Sequence, residues 1–212
     1  MKLREREDIL SLGVFLGVVA LIAALVLAMV SRWTAEPIAE AVESNRQKAF
    51  HRLLLPEFDR TGNPVEYDGV TFFPVLNGGK IVGYAGLSGV SGYGGEIEVL
   101  VGFTVDGMIT SVEVLRHRET PGLGANVCDR KFQRTILNLF EKAPETPSNA
   151  VLDQFRGRSA IDAGAWQISK DGGDFDYLTG ATVTSRAVTV AVDDIAAKFA
   201  ASGLIGKGEN QR

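Results

Sequence analysis

The sequence is short of the residues from which proteins build most redox, metal and hydrolytic centres. Cysteine occurs once and histidine twice among 212 residues. A lone cysteine excludes an internal disulfide, and the Cys-x-x-Cys and Cys/His spacings of zinc sites or haem attachment are absent. No Gly-x-Ser-x-Gly elbow occurs, and neither His51 nor His117 has partners in sequence that suggest a hydrolytic triad. Excess positive charge is missing as well: 22 Lys and Arg against 26 Asp and Glu leave a net charge of −4. That balance removes the electrostatic footprint of a nucleic-acid-binding protein. Any redox chemistry therefore needs a cofactor that the protein carries. Cys128 reads as a buried, inert thiol, and His117, within Arg116-His-Arg-Glu119, reads as a solvated strand end.

Ionisable groups are also absent from one long stretch. The 22 residues from Ile9 to Val30 contain no Asp, Glu, Lys, Arg or His, and Ser11 is their only polar side chain. At about 1.5 Å per residue such a helix reaches roughly 33 Å, enough for a hydrocarbon core of about 30 Å. A cleaved signal peptide is the competing reading. Signal h-regions are shorter, though, and end at a small-residue cleavage site, whereas this run leads into Met29-Val30-Ser31-Arg32-Trp33. The segment is read as an uncleaved anchor over 9–30, preceded by a cytoplasmic tail at 1–8. Lys2, Arg4 and Arg6 lie before it and Arg32 alone follows closely, so the N-terminus stays in the cytoplasm and the rest is exported across the membrane. With no ionisable group, the helix cannot itself be an ion path. Gly13, Gly17, Ala20, Ala24 and Ala28 fall in one stripe, which either packs against other membrane helices or reflects the ordinary abundance of small residues there.

The exported part reads as an α+β domain with an antiparallel sheet and packed helices. A stalk or packing helix is expected within 31–56, with Thr34 as N-cap, Pro37 in the first turn and Leu55-Pro56 as the stop. Strands are expected at Val70–Leu76, Ile81–Val90, Ile97–Val105 and Met108–Leu115, the last pair joined by the hairpin signal Asp106-Gly107. A helix follows from about Asp129 to Phe140, then a strand at 164–169. Val188, Ala191, Val192, Ile195, Ala196 and Phe199 recur at helical spacing, with Gly203 past the end, so a final helix docks its apolar face on the sheet. The domain is bounded at 57–203, and a polar tail occupies 204–212. Glycine-rich stretches at Ser91-Gly-Tyr-Gly-Gly95 and Pro121-Gly-Leu-Gly124 are either ordinary loops or places where backbone approaches a ligand.

The segment most informative about function is Asp176-Tyr-Leu-Thr-Gly-Ala-Thr182-Val-Thr-Ser185, just ahead of the final helix. The hydroxyls of Thr182, Thr184 and Ser185 suit helix capping. The same geometry suits a phosphate, which free amides and the helix dipole would stabilise while Gly180 and Ala181 keep the approach open.

Asp176, Thr179, Gly180, Ala181 and Thr182 match the pattern Asp-x-x-(Ser/Thr)-Gly-Ala-Thr on which a dedicated flavin transferase attaches FMN through its phosphate. With the N-terminal span, the 92–95 glycines, Glu119-Thr-Pro-Gly-Leu-Gly124 and the last helix, nearly the whole chain resembles the FMN-binding-domain family. That family is shared by the G-type subunit of the Rnf electron-transport complex and the C-type subunit of the sodium-pumping NADH:quinone reductase. The length, the Ser-Arg-Trp-Thr-Ala-Glu-Pro-Ile stretch and Trp-Gln-Ile-Ser-Lys-Asp-Gly-Gly are more similar to the Rnf branch. The resemblance implies one covalent FMN per chain at Thr182, with Thr120, Pro121, Gly122, Leu123, Gly124, Asp176, Thr179, Gly180, Ala181 and Thr184 around it. It also implies no catalytic residue of its own: the chain is a redox subunit that relays electrons within an ion-translocating ferredoxin:NAD oxidoreductase. Its partners are other membrane and peripheral subunits, the flavin transferase and membrane lipid. Tyr93 and Trp166 either flank the ring or belong to the core. The alternatives are the corresponding subunit of the sodium-pumping reductase, a brace for the complex, or a non-redox membrane-anchored sensor or binding module.

Overall fold

A computed structural model of the protein describes residues 12–34, 60–130 and 147–207. The chain divides into two compact units, Met1–Ser44 and Asn45–Arg212. In the first, helix α1, Leu12–Thr34, runs for 23 residues with a mean hydropathy of 2.9 over its most apolar window. It is exposed at every position, which suits a helix whose solvent is lipid. It continues past the expected end at Val30. Thr34 donates its hydroxyl to the Val30 carbonyl at 2.9 Å, so it lies within α1 instead of capping a new helix. Residues 9–11 and the remainder of the expected stalk helix, 35–56, lie outside the described residues.

The second unit is built on an antiparallel sheet. Its strands are β1 (Arg60–Thr61), β2 (Val65–Tyr67), β3 (Val70–Asn77), β4 (Lys80–Ser91), β5 (Glu96–Thr104) and β6 (Ile109–Arg116). They lie in the order β1-β3-β4-β5-β6, with β2 also pairing along β3. The four strands expected between Val70 and Leu115 are each present, as β3 to β6, within a residue or two of their anticipated ends. Alternation along β5 explains the layering: Ile97, Val99, Val101 and Phe103 face the main core, while Leu100 joins Val75 and Ala85 in a small cluster on the other side.

The main core is the contact between that sheet and helix α4, Thr182–Ala201. Val188, Val192, Ile195 and Phe199 on α4 are fully buried, as the helical spacing predicts. Phe199 stacks on Phe103 with ring centroids 4.3 Å apart and also touches Tyr84 and Phe72, at 5.3 and 5.6 Å. Close approach is possible because β4 carries Gly86 there. A Cβ at that position would sit 2.6 Å from Ile195 Cγ2 and 2.8 Å from Phe72 Cε1. The chain after α4 stays on the domain, since Leu204 is buried and the Gly206 amide donates to Val105 O at 3.0 Å. Packing therefore continues past residue 203.

One expected element differs and one is added. A short helix that the sequence did not suggest, α2, spans Gly124–Cys128, and Asp129 follows it with extended backbone at φ −90°, ψ 138°. The helix anticipated from about Asp129 to Phe140 falls on residues 131–140, which lie outside the described residues. Side chains hold the chain where α2 ends. Asp129 is held by His117, whose Nε2 lies 2.8 Å from Asp129 Oδ1. Arg130 is drawn inward, its guanidinium 3% exposed against Glu113 at 2.6 Å and Asp153 at 2.7 Å. The anticipated strand at 164–169 shrinks to a single bridge between Ile168 and Phe175, followed by a 3-10 turn at Ser169–Asp171. Polar partners found outside any ladder satisfy it: Gly164 N–H donates to Asp193 Oδ1 at 2.6 Å and the Trp166 indole donates to Asp162 O at 3.0 Å. The short helix α3, Ala150–Asp153, starts at Asn149, whose side chain accepts from Val151 and Leu152 N–H and donates to carbonyls of Asn126, Val127 and Asp129.

Because Phe199 joins three aromatic rings and is fully buried, Phe199→Ala is expected to destabilise the domain by about 3–5 kcal/mol, measured as a shift in urea midpoint with an unchanged slope.

Candidate functional site

The start of α4 is built by the turn that precedes it. The Gln154 side-chain amide brackets the backbone of Asp176: Asp176 N–H donates to Gln154 Oε1 at 2.7 Å, and Gln154 Nε2 donates to Asp176 O at 3.1 Å. Further on, Leu178 N–H donates to Ser185 Oγ at 3.1 Å and Ala181 N–H donates to Leu178 O at 2.9 Å. Gly180 sits between them at φ +89°, a left-handed conformation that a residue with a Cβ adopts only under strain. The turn delivers Ala181 to the N-cap position of α4 and Thr182 to its first helical residue.

Ala181 has no side chain that can cap, and no side-chain cap replaces it among the described residues. The capping roles conceivable for Thr182, Thr184 and Ser185 are therefore not taken up. Ser185 Oγ serves Leu178 instead, and Thr184 Oγ1 donates to Glu119 Oε2 at 2.6 Å. Thr182 is half-buried, and its hydroxyl makes no hydrogen bond among the described residues. The amides of Thr182, Val183 and Thr184 occupy the first turn, where an α-helix has no internal acceptors for them. A reachable hydroxyl beside uncapped amides at the positive end of a 20-residue helix is suited to a phosphate or phosphoester.

Around this point the other expected residues sort themselves. Asp176, Thr179 and Gly180 are exposed and Ala181 is buried. The 120–124 loop comes against the turn, with Leu123 Cδ2 lying 3.4 Å from where a Gly180 Cβ would be. Leu123 is 47% exposed, an apolar side chain without a cover. Thr120, Pro121 and Gly122 are exposed beside it, and Thr120 O accepts from Leu123 and Ala125 N–H to turn the chain into α2. Gly124 and Thr184 are buried, so they shape the cradle from behind. Tyr93 is not a core residue: it is 74% exposed on the 92–95 loop. Trp166 goes the other way, packing with Phe155 and Phe175 at centroid distances of 6.1 and 5.2 Å.

Sequence reasoning missed the polar residues that hold the site together. Glu119 and Gln154 act on partners 22 to 65 positions away, and His117 joins Asp129, 12 positions on, to the Glu119 amide, so no repeating local spacing reveals them. His117 is no solvated strand end: it is half-buried, bonded to Asp129, and accepts the Glu119 amide on Nδ1 at 3.2 Å. One turn beyond Thr182, Arg186 makes a two-pronged pair with Asp171 at 2.6 and 2.8 Å. That hydrogen bonding holds the Asp171 carboxyl below its ordinary range. The pair borders a pocket of about 270 Å³ whose lining includes Trp166, Ile168, Thr189 and Val190. Among the described residues no group of three or more His, Cys, Asp or Glu is placed to hold a metal ion.

Cys128 lies behind the 119–124 loop, 2% exposed. Burial, then the negative charges of Glu119 and Asp129, push its thiol up from 9.0 to about 12. The folded state therefore binds a proton that the unfolded chain has lost between those values. Its contribution to stability is complete below about pH 9 and is lost as the pH rises toward about 12. Native protein at pH 8 is expected to resist thiol reagents until denaturant is added, and Cys128→Ser is expected to flatten the alkaline decline of stability. Both are read by labelling kinetics and unfolding curves across pH.

The chain matches the family model described as the RnfG N-terminal region over residues 1–53 and that of the FMN-binding domain over residues 92–197. It is 34% identical over 210 residues to the G-type subunit of an ion-translocating oxidoreductase complex from Pseudomonas aeruginosa (strain UCBPP-PA14), covering 91% of this chain and 89% of that one. A protein of the same name from Cereibacter sphaeroides (strain ATCC 17023) is 32% identical over 186 residues, 83% of this chain and 77% of its own. Another, from Vibrio atlanticus (strain LGP32), is 45% identical over 101 residues, 48% of this chain and 41% of its own. Two consecutive family matches and relatives that run nearly end to end lead to one assignment: the chain belongs to the FMN-binding-domain family, in the RnfG branch found in ion-translocating oxidoreductase complexes.

Proposed function

We propose that this chain is the membrane-anchored flavoprotein subunit of an ion-translocating oxidoreductase complex of the Rnf type, and that it holds one FMN through a phosphoester at Thr182. The observation that carries the reading is the start of α4, where the Thr182 hydroxyl and the first-turn amides are left without side-chain partners among the described residues. Bound FMN supplies the electron-carrying chemistry. The chain's own part is to hold and surround it. On transfer from an activated flavin nucleotide held by the transferase, Thr182 Oγ1 would displace the donor's leaving group at the FMN phosphorus, its proton departing with that group, and become the bridging oxygen of the ester, a tether and not a catalyst. The amides of the first turn and the helix dipole offset the phosphate charge. Gly180 leaves room for the approach, while the exposed Leu123 and Tyr93 offer apolar surface for a flat ring and Thr120, Pro121 and Gly122 line its flank. The exposed Asp176 and Thr179 present the motif to a flavin transferase, the maturation partner this reading requires.

A covalent tether is useful on the far side of the inner membrane, where free FMN would be lost by dissociation. Lys2, Arg4 and Arg6 ahead of α1 favour a cytoplasmic N-terminus and a periplasmic domain. The small-residue stripe of α1, in which Gly13 and Gly17 have open space around them, suits close packing against the membrane subunits of the complex.

Co-expressed with a flavin transferase, the full chain is expected to gain the mass of one FMN and to fluoresce on a denaturing gel, and Thr182→Val is expected to lose both. Flavin that survives in the Thr182→Val variant would place the tether elsewhere. A C-terminal alkaline phosphatase fusion is expected to be active and a C-terminal green fluorescent protein fusion dark; the reverse pattern would invert the topology.

A further inference from the structure

The 92–95 loop, the 119–124 loop and the first turn of α4 converge on the carboxylate of Glu119. This side chain is 5% exposed. Its Oε1 accepts Gly94 N–H at 2.9 Å, and its Oε2 accepts the Thr184 hydroxyl at 2.6 Å. The surrounding backbone is shaped to it, because a Cβ at Gly92 or Gly124 would run into the carboxylate oxygens. The Glu119 amide is itself held by His117, which is bonded in turn to Asp129. No Lys, Arg or His side chain pairs with the Glu119 carboxylate among the described residues. Its charge is met by two hydrogen bonds and by the positive end of α4. That charge is felt locally, since it helps to push up the Cys128 thiol.

We propose that Glu119 is a positioning residue of the flavin site that works in two ways. As a clasp, it fixes the 119–124 loop so that Leu123 stays against Gly180, beside Thr182. As a buried negative charge without a cation, it disfavours the added electron density of reduced flavin and biases the cofactor toward its oxidised form. The inference rests on the reading of Thr182 as the FMN tether. Shape and charge can be separated. Glu119→Gln keeps the length and hydrogen-bonding reach but removes the charge, and Glu119→Asp keeps the charge but is one methylene short of both partners.

The test uses the full chain in detergent, prepared both with and without the flavin transferase. In the flavin-bearing form, Glu119→Gln is expected to keep the FMN mass and shift the midpoint potential to more positive values, with a much smaller shift for Glu119→Asp. In the flavin-free form, hydrogen exchange across 92–97 and 178–186 is expected to be several-fold faster in Glu119→Asp than in the parent, with Glu119→Gln close to the parent. An unchanged potential in flavin-loaded Glu119→Gln, or equal shifts in the two variants, would overturn the charge role. Unchanged exchange in Glu119→Asp would overturn the clasp. A parent chain that never gains FMN mass would overturn the tether reading instead, and with it the charge role, while the exchange comparison still decides the clasp.

Discussion

Helix α4 lies with Val188, Val192, Ile195 and Phe199 fully buried against the sheet, and that burial decides where its first turn sits. The helix is 20 residues long, so its axis is set by the aromatic contacts of Phe199 near one end, and the other end is left to present Thr182. Gly86 on β4 makes the approach possible by leaving space for Ile195. Without a rigidly docked helix, a hydroxyl at its N-terminus would have no fixed place relative to the loops around it, and the helix dipole would have no fixed direction.

Onto this frame a set of polar side chains adds the loops. Asn149 collects carbonyls from the end of α2 while capping α3, and Arg130 ties β6 to α3 through Glu113 and Asp153. Gln154, at the end of α3, then brackets Asp176, and Glu119 joins two glycine-bearing loops to α4. These groups are buried or half-buried and hydrogen-bonded, as polar groups removed from water must be. They are also distributed so that each loop facing Thr182 is held at more than one point. The glycines that make such loops flexible in isolation thus lie in a well-braced cradle.

The same economy explains why a chain with one cysteine and two histidines can serve electron transfer. In the proposed site the chain contributes a tether at Thr182, the backbone dipole of α4, apolar surface and a buried charge, whereas the electron-carrying groups belong to the cofactor. The thiol that does exist is kept protonated by burial and by its acidic neighbours, which removes it from competing chemistry.

Much of the architecture was legible because it depends on short-range periodicity. The apolar run of α1, the alternation in β3 to β6 and the helical stripe of α4 each repeat within a few residues, and the motif around Thr182 is contiguous. The strand expected at 164–169 differs from the structure because its residues take partners outside any ladder, Gly164 from Asp193 and Trp166 from Asp162. Tyr93 and Trp166 could not be told apart in sequence, yet one is exposed and the other is half-buried against the core, packed on Phe155 and Phe175. Local composition determined the apolar helix and the strands, and the contiguous motif around Thr182 carried the family resemblance. Only the tertiary structure decided that Glu119 and Gln154 would brace the loops around it and that Leu123 would lie against Gly180, because hydrogen bonds and packing between residues up to 65 positions apart leave no trace in the spacing of neighbours.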